Sequence, residues 1–311
     1  MERDAGSQSH TSVRVASNVR HGAHRAGPLV DDEVMPDHQP AGTAPTRAEL
    51  LATVERSPAA LRTHDRRAWV DLFTPGGRVD DPVGSAPHHG RDEIERFYDT
   101  FIAPRDITIH RDADYVVGRT VVRDVELEAA MADSLVMRIP AYLRYDVEEV
   151  DGELRIARLQ AHWELPAMVM QFAKGGLAAA PAGLALSRGL LGNQGVGGTL
   201  GFLSGFRGVG ARGKRHLSGF LDDACAGDEV AVRRRMSDQV HITLGDDERI
   251  ATSDLVSRLA GGRPRKLIAA GNTVAVRIES SGQRQVLIAE MRPKTLATVR
   301  IRLFGPGSQS D

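Results

Sequence analysis

The chain has 311 residues, 41% of them hydrophobic and 26% charged, with 40 Lys and Arg against 41 Asp and Glu for a formal net charge of -1. That length accommodates roughly two ordinary domains, and the balanced charge gives no bulk attraction for polyanions, so no nucleic-acid partner is expected. The single cysteine, Cys225, has no partner for an internal disulfide and cannot alone make a zinc site; with no apolar signal run near the N-terminus, the expected location is the reducing cytoplasm.

Residues 1–45 mix Ser, His, Arg, Gly and Pro without any period and are expected to be disordered, with Met35 as an alternative start. Order begins at Thr46, where Thr-Arg-Ala-Glu has the form of a capping box. Leu50, Leu51, Val54 and Leu61 follow at helical spacing, and Pro58 is expected to kink or split the helix. A second helix is predicted from Asp65 to Phe73, burying Trp69, Leu72 and Phe73. After Gly90, Asp92 is placed as the cap of a third, whose Ile94, Phe97, Tyr98, Phe101 and Ile102 share one face.

From Ile107 to Leu165 the period changes to two, with turns at Gly118, at 131–134 and at Asp151-Gly152. Between Leu135 and Val147 the odd positions Leu135, Met137, Ile139, Ala141, Leu143, Tyr145 and Val147 form an apolar face. Arg138, Tyr142, Arg144 and Asp146 take the other. In the last strand Leu159, Ala161, Trp163 and Leu165 oppose Arg158, Gln160, His162 and Glu164. The fold class read from this order is α+β: a cone-shaped, curved antiparallel sheet wrapped around N-terminal helices and enclosing a pocket, over residues 46–172.

Residues 173–213 are rich in Gly, Ala and Leu. They read as a packed linker with short helices, a self-association or interdomain surface, or a membrane-surface contact; the apolar run is too short for a transmembrane segment. Over residues 214–304 the order of elements recurs. "HDRRAWVDLFTPGGRVDD" can be laid over "AGDEVAVRRRMSDQVHI", which suggests a degenerate second copy of the fold in which the place of Asp81 falls to Ile242. Residues 305–311 are expected to be a flexible tail.

The chemistry centres on Asp81. A carboxylate at the mouth of an apolar pocket suits general-base work, because burial disfavours its charge and raises its basicity. Pro82 fixes the chain direction after it and keeps Asp81 out of the helical conformation. An Asp-Pro pair is also an ordinary turn former, and the residues alone leave both readings open. His88, His89 and His110 lack metal-ligand spacing, so no metal is expected, and Cys225, without an adjacent base, reads as a structural thiol. "GNQGVGG" is not a phosphate-binding loop, and no cofactor is expected.

Residues 72–98, "LFTPGGRVDDPVGSAPHHGRDEIERFY", resemble the bacterial ketosteroid isomerases, without a gap from Val79 to Tyr98, and "LQAHW" at 159–163 is similar to that family's closing strand. Residues 46–172 as a whole resemble the nuclear transport factor two-like superfamily, which also contains the SnoaL-like polyketide cyclases. The resemblance implies that Asp81 is the base that shuttles a proton between carbons of a steroid beside its keto group. It also implies that the positions of the two oxyanion donors, a Tyr and a protonated Asp, are taken here by Ser57 and Ala141. Tyr98 matches a supporting tyrosine; it either turns its hydroxyl to the ligand or packs in the core. The same choice holds for Trp163 and Phe97 as pocket walls. Tyr142 belongs to the opposite sheet face, in a surface or interface role, and Arg123, in phase with Val121, Val125 and Leu127, either enters the pocket or marks a strand end.

The expected site is therefore Asp81 and Tyr98 as catalytic residues with Trp163, Phe97, Ser57, Ala141 and Met137 as substrate contacts. The expected function is cofactor-independent proton transfer on a steroid-like ketone. A non-catalytic binder of hydrophobic ligands and a SnoaL-like cyclase are the alternatives. The outer sheet face is expected to be covered either by the second unit, as a pseudo-dimer within one chain, or by a second copy of the chain.

Overall fold

The computed structural model describes residues 44–132, 135–174, 176, 180–236, 239–280 and 282–305. Residues 1–43 of the expected disordered segment, Met35 among them, and the tail beyond 305 lie outside the described residues.

Helix α1 (Arg47–Arg62) opens on the predicted capping box: the Thr46 side chain accepts from the Glu49 N–H while Glu49 accepts from the Thr46 N–H. Pro58 does not split it. The turn around it buries Ser57, Pro58, Ala60 and Leu61, and that packing outweighs an interior-proline cost of about 3 kcal/mol. Helix α2 (Arg66–Val70), capped by Asp65, is shorter than predicted. Thr74-Pro75-Gly76-Gly77 cannot prolong it, so Phe73 starts strand β1 (Phe73–Asp80) while its ring still packs on Trp69, 4.9 Å away. After β2 (His88–His89) comes α3 (Gly90–Phe97), capped not by Asp92 but by the Glu93 carboxylate, which accepts from the His89 N–H at 2.7 Å. The helix ends in a π-turn, Tyr98–Ile102.

Strands β3 (Asp106–Val117), β4 (Thr120–Ala132), β5 (Leu135–Val150) and β6 (Glu153–His162) follow as an antiparallel meander. The last ends at His162, and Leu165 begins helix α4 (Leu165–Lys174) instead of closing the strand, because Pro166 suits a first helical turn. β1 pairs parallel to β6, giving the order β2-β1-β6-β5-β4-β3. The inward face carries the predicted alternation: Val121, Val125, Ala141, Leu143, Tyr145, Val147, Leu159 and Ala161 pack with Leu50, Val54, Trp69, Ile94 and Phe97 of the helices in one core. Arg123 belongs to this inner face as well. It is 1% exposed and bonds Glu55 of α1 at 2.8 Å and Asp114 of β3 at 3.1 Å, so it ties helix to sheet instead of entering a pocket.

Helices α5 (Ala180–Gly189) and α6 (Gly195–Leu203) lie between the two sheets in sequence; among the described residues no helix is long and apolar enough to cross a membrane. Then α7 (Gly210–Cys225), α8 (Glu229–Arg235), β7 (His241–Leu244), β8 (Glu248–Arg249), α9 (Thr252–Leu259), β9 (Arg263–Ala270), β10 (Thr273–Ser280), β11 (Gln283–Met291) and β12 (Thr298–Phe304) repeat the first series element for element. Their strand order, β8-β7-β12-β11-β10-β9, mirrors the first, with β7 parallel to β12. The protein is thus an α+β duplication of the cone fold with a degenerate second copy. Ile242 and Leu244, the inward residues of β7, are both apolar and pack in the second core, so this copy holds no acid there.

The two sheets meet back to back. Tyr115, Val122 and Tyr142 pack on Ile268, Ala275, Val286, Ile288 and Phe304, which places Tyr142 in an internal interface with its hydroxyl donating to the Lys266 carbonyl at 3.0 Å. Asp124, fully buried, is paired with Lys266 and, at 2.8 Å, with Arg277, both from the second copy. Such a charge is tolerable away from water only because it is paired and hydrogen-bonded.

Candidate functional site

Strand alternation decides where Asp81 points. Val79 is fully buried in the core, Asp80 faces the other way onto Arg158 and Arg78, and Asp81 returns inward at the end of β1. The following Pro82 and Val83 are buried, the Asp81–Pro82 peptide is cis, and the Val83 N–H donates to Ala161 at 2.9 Å, which continues the β1–β6 pairing past the acid. That pairing brings Trp163, one residue beyond β6, against Asp81: the indole N–H donates to its Oδ1 at 2.6 Å.

Around the pair lies a cavity of about 120 Å³. Phe97, Phe101 and Ile102 form the helical wall, Ile107, Leu127 and Ile139 the sheet wall, and Met168 of α4 and Phe202 of α6 the mouth. Burial among these groups pushes the Asp81 carboxyl up; the Trp163 N–H pulls it back and the neighbouring Asp80 charge adds to the rise, leaving it at about 6 from an ordinary 3.8. A carboxylate so placed is ionised near neutrality yet basic enough to accept a proton from carbon next to a carbonyl.

Of the residues singled out from sequence, Asp81, Trp163 and Phe97 line this cavity; Tyr98, Ser57, Ala141 and Met137 do not. Tyr98 is 1% exposed under Trp69, its hydroxyl has no hydrogen-bond partner among the described residues, and burial raises its pKa. Ser57 accepts the Trp69 indole N–H at 3.1 Å, deep in the helical layer. Ala141 and Met137 share the inward phase of β5 with Ile139, but both are fully buried, and Ile139 between them is the β5 residue at the cavity. His88 packs on Phe97, and His110 bonds Glu128 across β3 and β4, so these histidines are not gathered.

Arg105, Met168 and Phe202 also line the cavity, and the sequence reading did not single them out. Arg105 sits in the Pro-Arg-Asp turn before β3 and donates through one terminal nitrogen to the carbonyls of Thr100 and Phe101 at 3.0 and 2.8 Å, capping the π-turn. Burial pushes its pKa down, and it makes no ion pair among the described residues. A lone arginine between a helix end and a strand was its only signal. Met168 and Phe202 come from segments far along the chain, and nothing local marks them. Phe202 stacks on Phe101 with centroids 5.2 Å apart, and α6 is held over the Asp81 turn by Ala86 N–H to Gly201 at 3.0 Å and by the Ser85 hydroxyl to Phe202 at 3.0 Å.

Residues 54–159 match the SnoaL-like domain family. No curated protein matches the chain. Among solved structures, the first copy of the fold is similar to a delta 5-3-ketosteroid isomerase from Mycobacterium sp., 23% identical over 39% of this chain and 96% of that one, with a TM-score of 0.35. It is also similar to a Mycobacterium tuberculosis protein in complex with estradiol-17beta-hemisuccinate, 19% identical over 38% and 95%, TM-score 0.35. A third is an M. tuberculosis LEH-like epoxide hydrolase, 16% identical over 43% and 96%, TM-score 0.35.

Proposed function

We propose that the SnoaL-like half is a cofactor-independent acid–base catalyst in which Asp81 moves a proton between carbons of an apolar, steroid-like ketone. The observation that carries this reading is the Asp81 carboxylate itself, set in a carbon-lined cavity, oriented by the Trp163 N–H and raised to about 6. Asp81 takes the proton from the carbon beside the carbonyl, and the resulting acid returns it to the conjugated carbon. With Ser57 and Ala141 where the resembling enzymes carry oxyanion donors, the group left to stabilise the enolate oxygen is Arg105, whose guanidinium spends one terminal nitrogen on backbone and keeps the others. One such donor is worth about a hundredfold to a thousandfold in rate.

A second reading is a non-catalytic hydrophobic-ligand binder, favoured by the cavity's lack of any tyrosine or second acid in its lining. A cavity of about 120 Å³ also lies below the roughly 300 Å³ at which small-molecule pockets ordinarily begin. A polycyclic ligand therefore requires Phe202 to turn aside, joining this cavity to the neighbouring one of about 310 Å³ that shares Phe101 and Phe202.

The test is ultraviolet detection of conjugated enone formed from a delta-5-3-ketosteroid, comparing the wild type with Asp81→Asn. Turnover that collapses in the variant supports the catalyst. Saturable steroid binding without turnover in either protein supports the binder, and a SnoaL-like cyclase activity on polyketides would then be the next assay.

A further inference from the structure

The outward face of β6 carries Arg158, Gln160 and His162, polar residues that the Asp81 chemistry does not use. The second copy covers this face incompletely. Where β5, β6 and the Val83-Gly84 turn of the first half meet β11, β12 and the turns at Arg207-Gly208 and Gly271–Thr273, they enclose a cavity of about 540 Å³, larger than the one at Asp81 and separate from it. Its wall is built tightly: at Gly84, which has φ +101°, a Cβ would lie 2.5 Å from the Gly271 Cα, so two backbones touch there and only glycine fits.

The lining is cationic. Arg144, Arg158, Arg207 and Arg302 face it, with Glu290 as the one carboxylate among the lining residues. Counting the ion-pair partners behind them, six guanidinium groups (Arg78, Arg144, Arg158, Arg207, Arg300, Arg302) meet four carboxylates (Asp80, Asp146, Asp246, Glu290), leaving two positive charges uncompensated. Arg144 is 6% exposed, so its charge is held at low dielectric, and Arg207 makes no ion pair among the described residues. Burial and the nearby charges of Arg144 and Arg300 push Arg302 down, an unfavourable crowding that an anion relieves.

His162 adds a second requirement. It is 1% exposed, and its Nδ1 lies 3.1 Å from the Thr273 hydroxyl, which itself donates to the Ala270 carbonyl at 2.8 Å. The threonine oxygen is therefore the acceptor and Nδ1 carries the proton, which leaves Nε2 as a bare acceptor. Nε2 is buried and has no partner among the described residues. A buried acceptor without a donor is costly; His162 lines the cationic cavity, and a small turn of its ring would open Nε2, which has no exposed surface of its own, to a ligand there.

We infer that this cavity between the two copies is a binding site for a small phosphorylated, hydroxyl-bearing metabolite, its anionic group held by Arg144, Arg158, Arg207 and Arg302 and a hydroxyl donating to His162 Nε2. A phosphate suits the planar guanidinium forks, and the volume exceeds what the phosphate alone needs. The site stands independently of the Asp81 reading, and its test is binding, not turnover.

The experiment is isothermal titration of the full chain at constant ionic strength near neutral pH with three probes: glycerol 3-phosphate, inorganic phosphate and sulfate. Phosphate retains a proton to donate near neutrality, and sulfate has none. Glycerol 3-phosphate and phosphate are expected to bind saturably, with sulfate roughly tenfold or more weaker because Nε2 stays unsatisfied. Arg207→Ala, at an exposed position whose loss leaves the fold intact, is expected to weaken phosphate binding about tenfold, and His162→Phe to abolish the preference over sulfate. No saturable binding of either phosphate probe up to about 10 mM overturns the site. So does equal affinity for sulfate, or affinity unchanged in Arg207→Ala.

Discussion

Replacing Asp81 by Asn removes a charge that the fold resists and keeps an oxygen to accept the Trp163 N–H, so the substitution is expected to stabilise the protein in a pH-dependent way. The folded carboxyl is raised from 3.8 to about 6. Below the unfolded value it is protonated in both states and carries no penalty. Between 3.8 and about 6 the folded state binds the proton more tightly, and that stability is lost as pH rises. Above 6 the loss is complete. At 1.36 kcal/mol per pH unit it amounts to about 3 kcal/mol, an upper bound because the residue keeps some exposure through the pocket mouth. Thermal unfolding of wild type and Asp81→Asn should therefore differ by up to roughly 10 °C at about pH 8, with the variant higher, and converge at about pH 4. A variant no more stable at alkaline pH, or a gap that persists unchanged on acidification, would refute a desolvated carboxylate and with it the proposed base.

Trp163→Phe deletes the hydrogen bond that favours the ionised form of Asp81 and should raise its pKa by a further unit or so, read by carbon NMR of the labelled carboxyl; an unchanged titration would mean the indole is only packing. Phe202→Ala should join the cavities on either side of the Phe101 ring and tighten binding of a steroid at least severalfold, measured by fluorescence titration; equal or weaker binding would show that Phe202 is not the barrier. Asp124→Ala leaves Lys266 without a carboxylate between the sheets, while Arg277 keeps Asp112 and Glu279, and should cost about 3 kcal/mol in urea denaturation; a loss under about 1 kcal/mol would show that the pairing is dispensable.

The parts of this fold that could be read from the chain are those set by near neighbours. Thr46 and Glu49 announce a helix start because the capping box closes within three residues, and the alternation from Met137 to Val147 announces which face is buried because strand period depends only on the backbone. Alternation in the last strand likewise put Arg158, Gln160 and His162 outward, whereas the place of Asp81 came from the resemblance. What failed was either competition between local signals or contact at long range. The helix predicted to Phe73 stops at Val70, since Phe73 satisfies the apolar face equally well as the first residue of a strand. Pro58 leaves α1 whole because tertiary packing decides. Ser57 and Tyr98 were joined to the site by position along a helix, whereas depth in the core separates them from the cavity. Phe202 closes the pocket from 121 residues downstream of Asp81, and no short window of sequence contains both.

The second copy of the fold holds no acid on β7, and its face toward the first is fixed by Tyr142, Lys266 and Asp124. The duplication therefore yields one acid-bearing pocket of the Asp81 kind per chain, not two. A covalently attached partner is also supplied at an effective concentration that dilution does not change, on the order of millimolar for short flexible linkers. The sheet that backs the Asp81 pocket thus keeps its cover at any protein concentration. Meanwhile the second copy, whose inner face is apolar, is free to vary there as long as its outer face still meets the first.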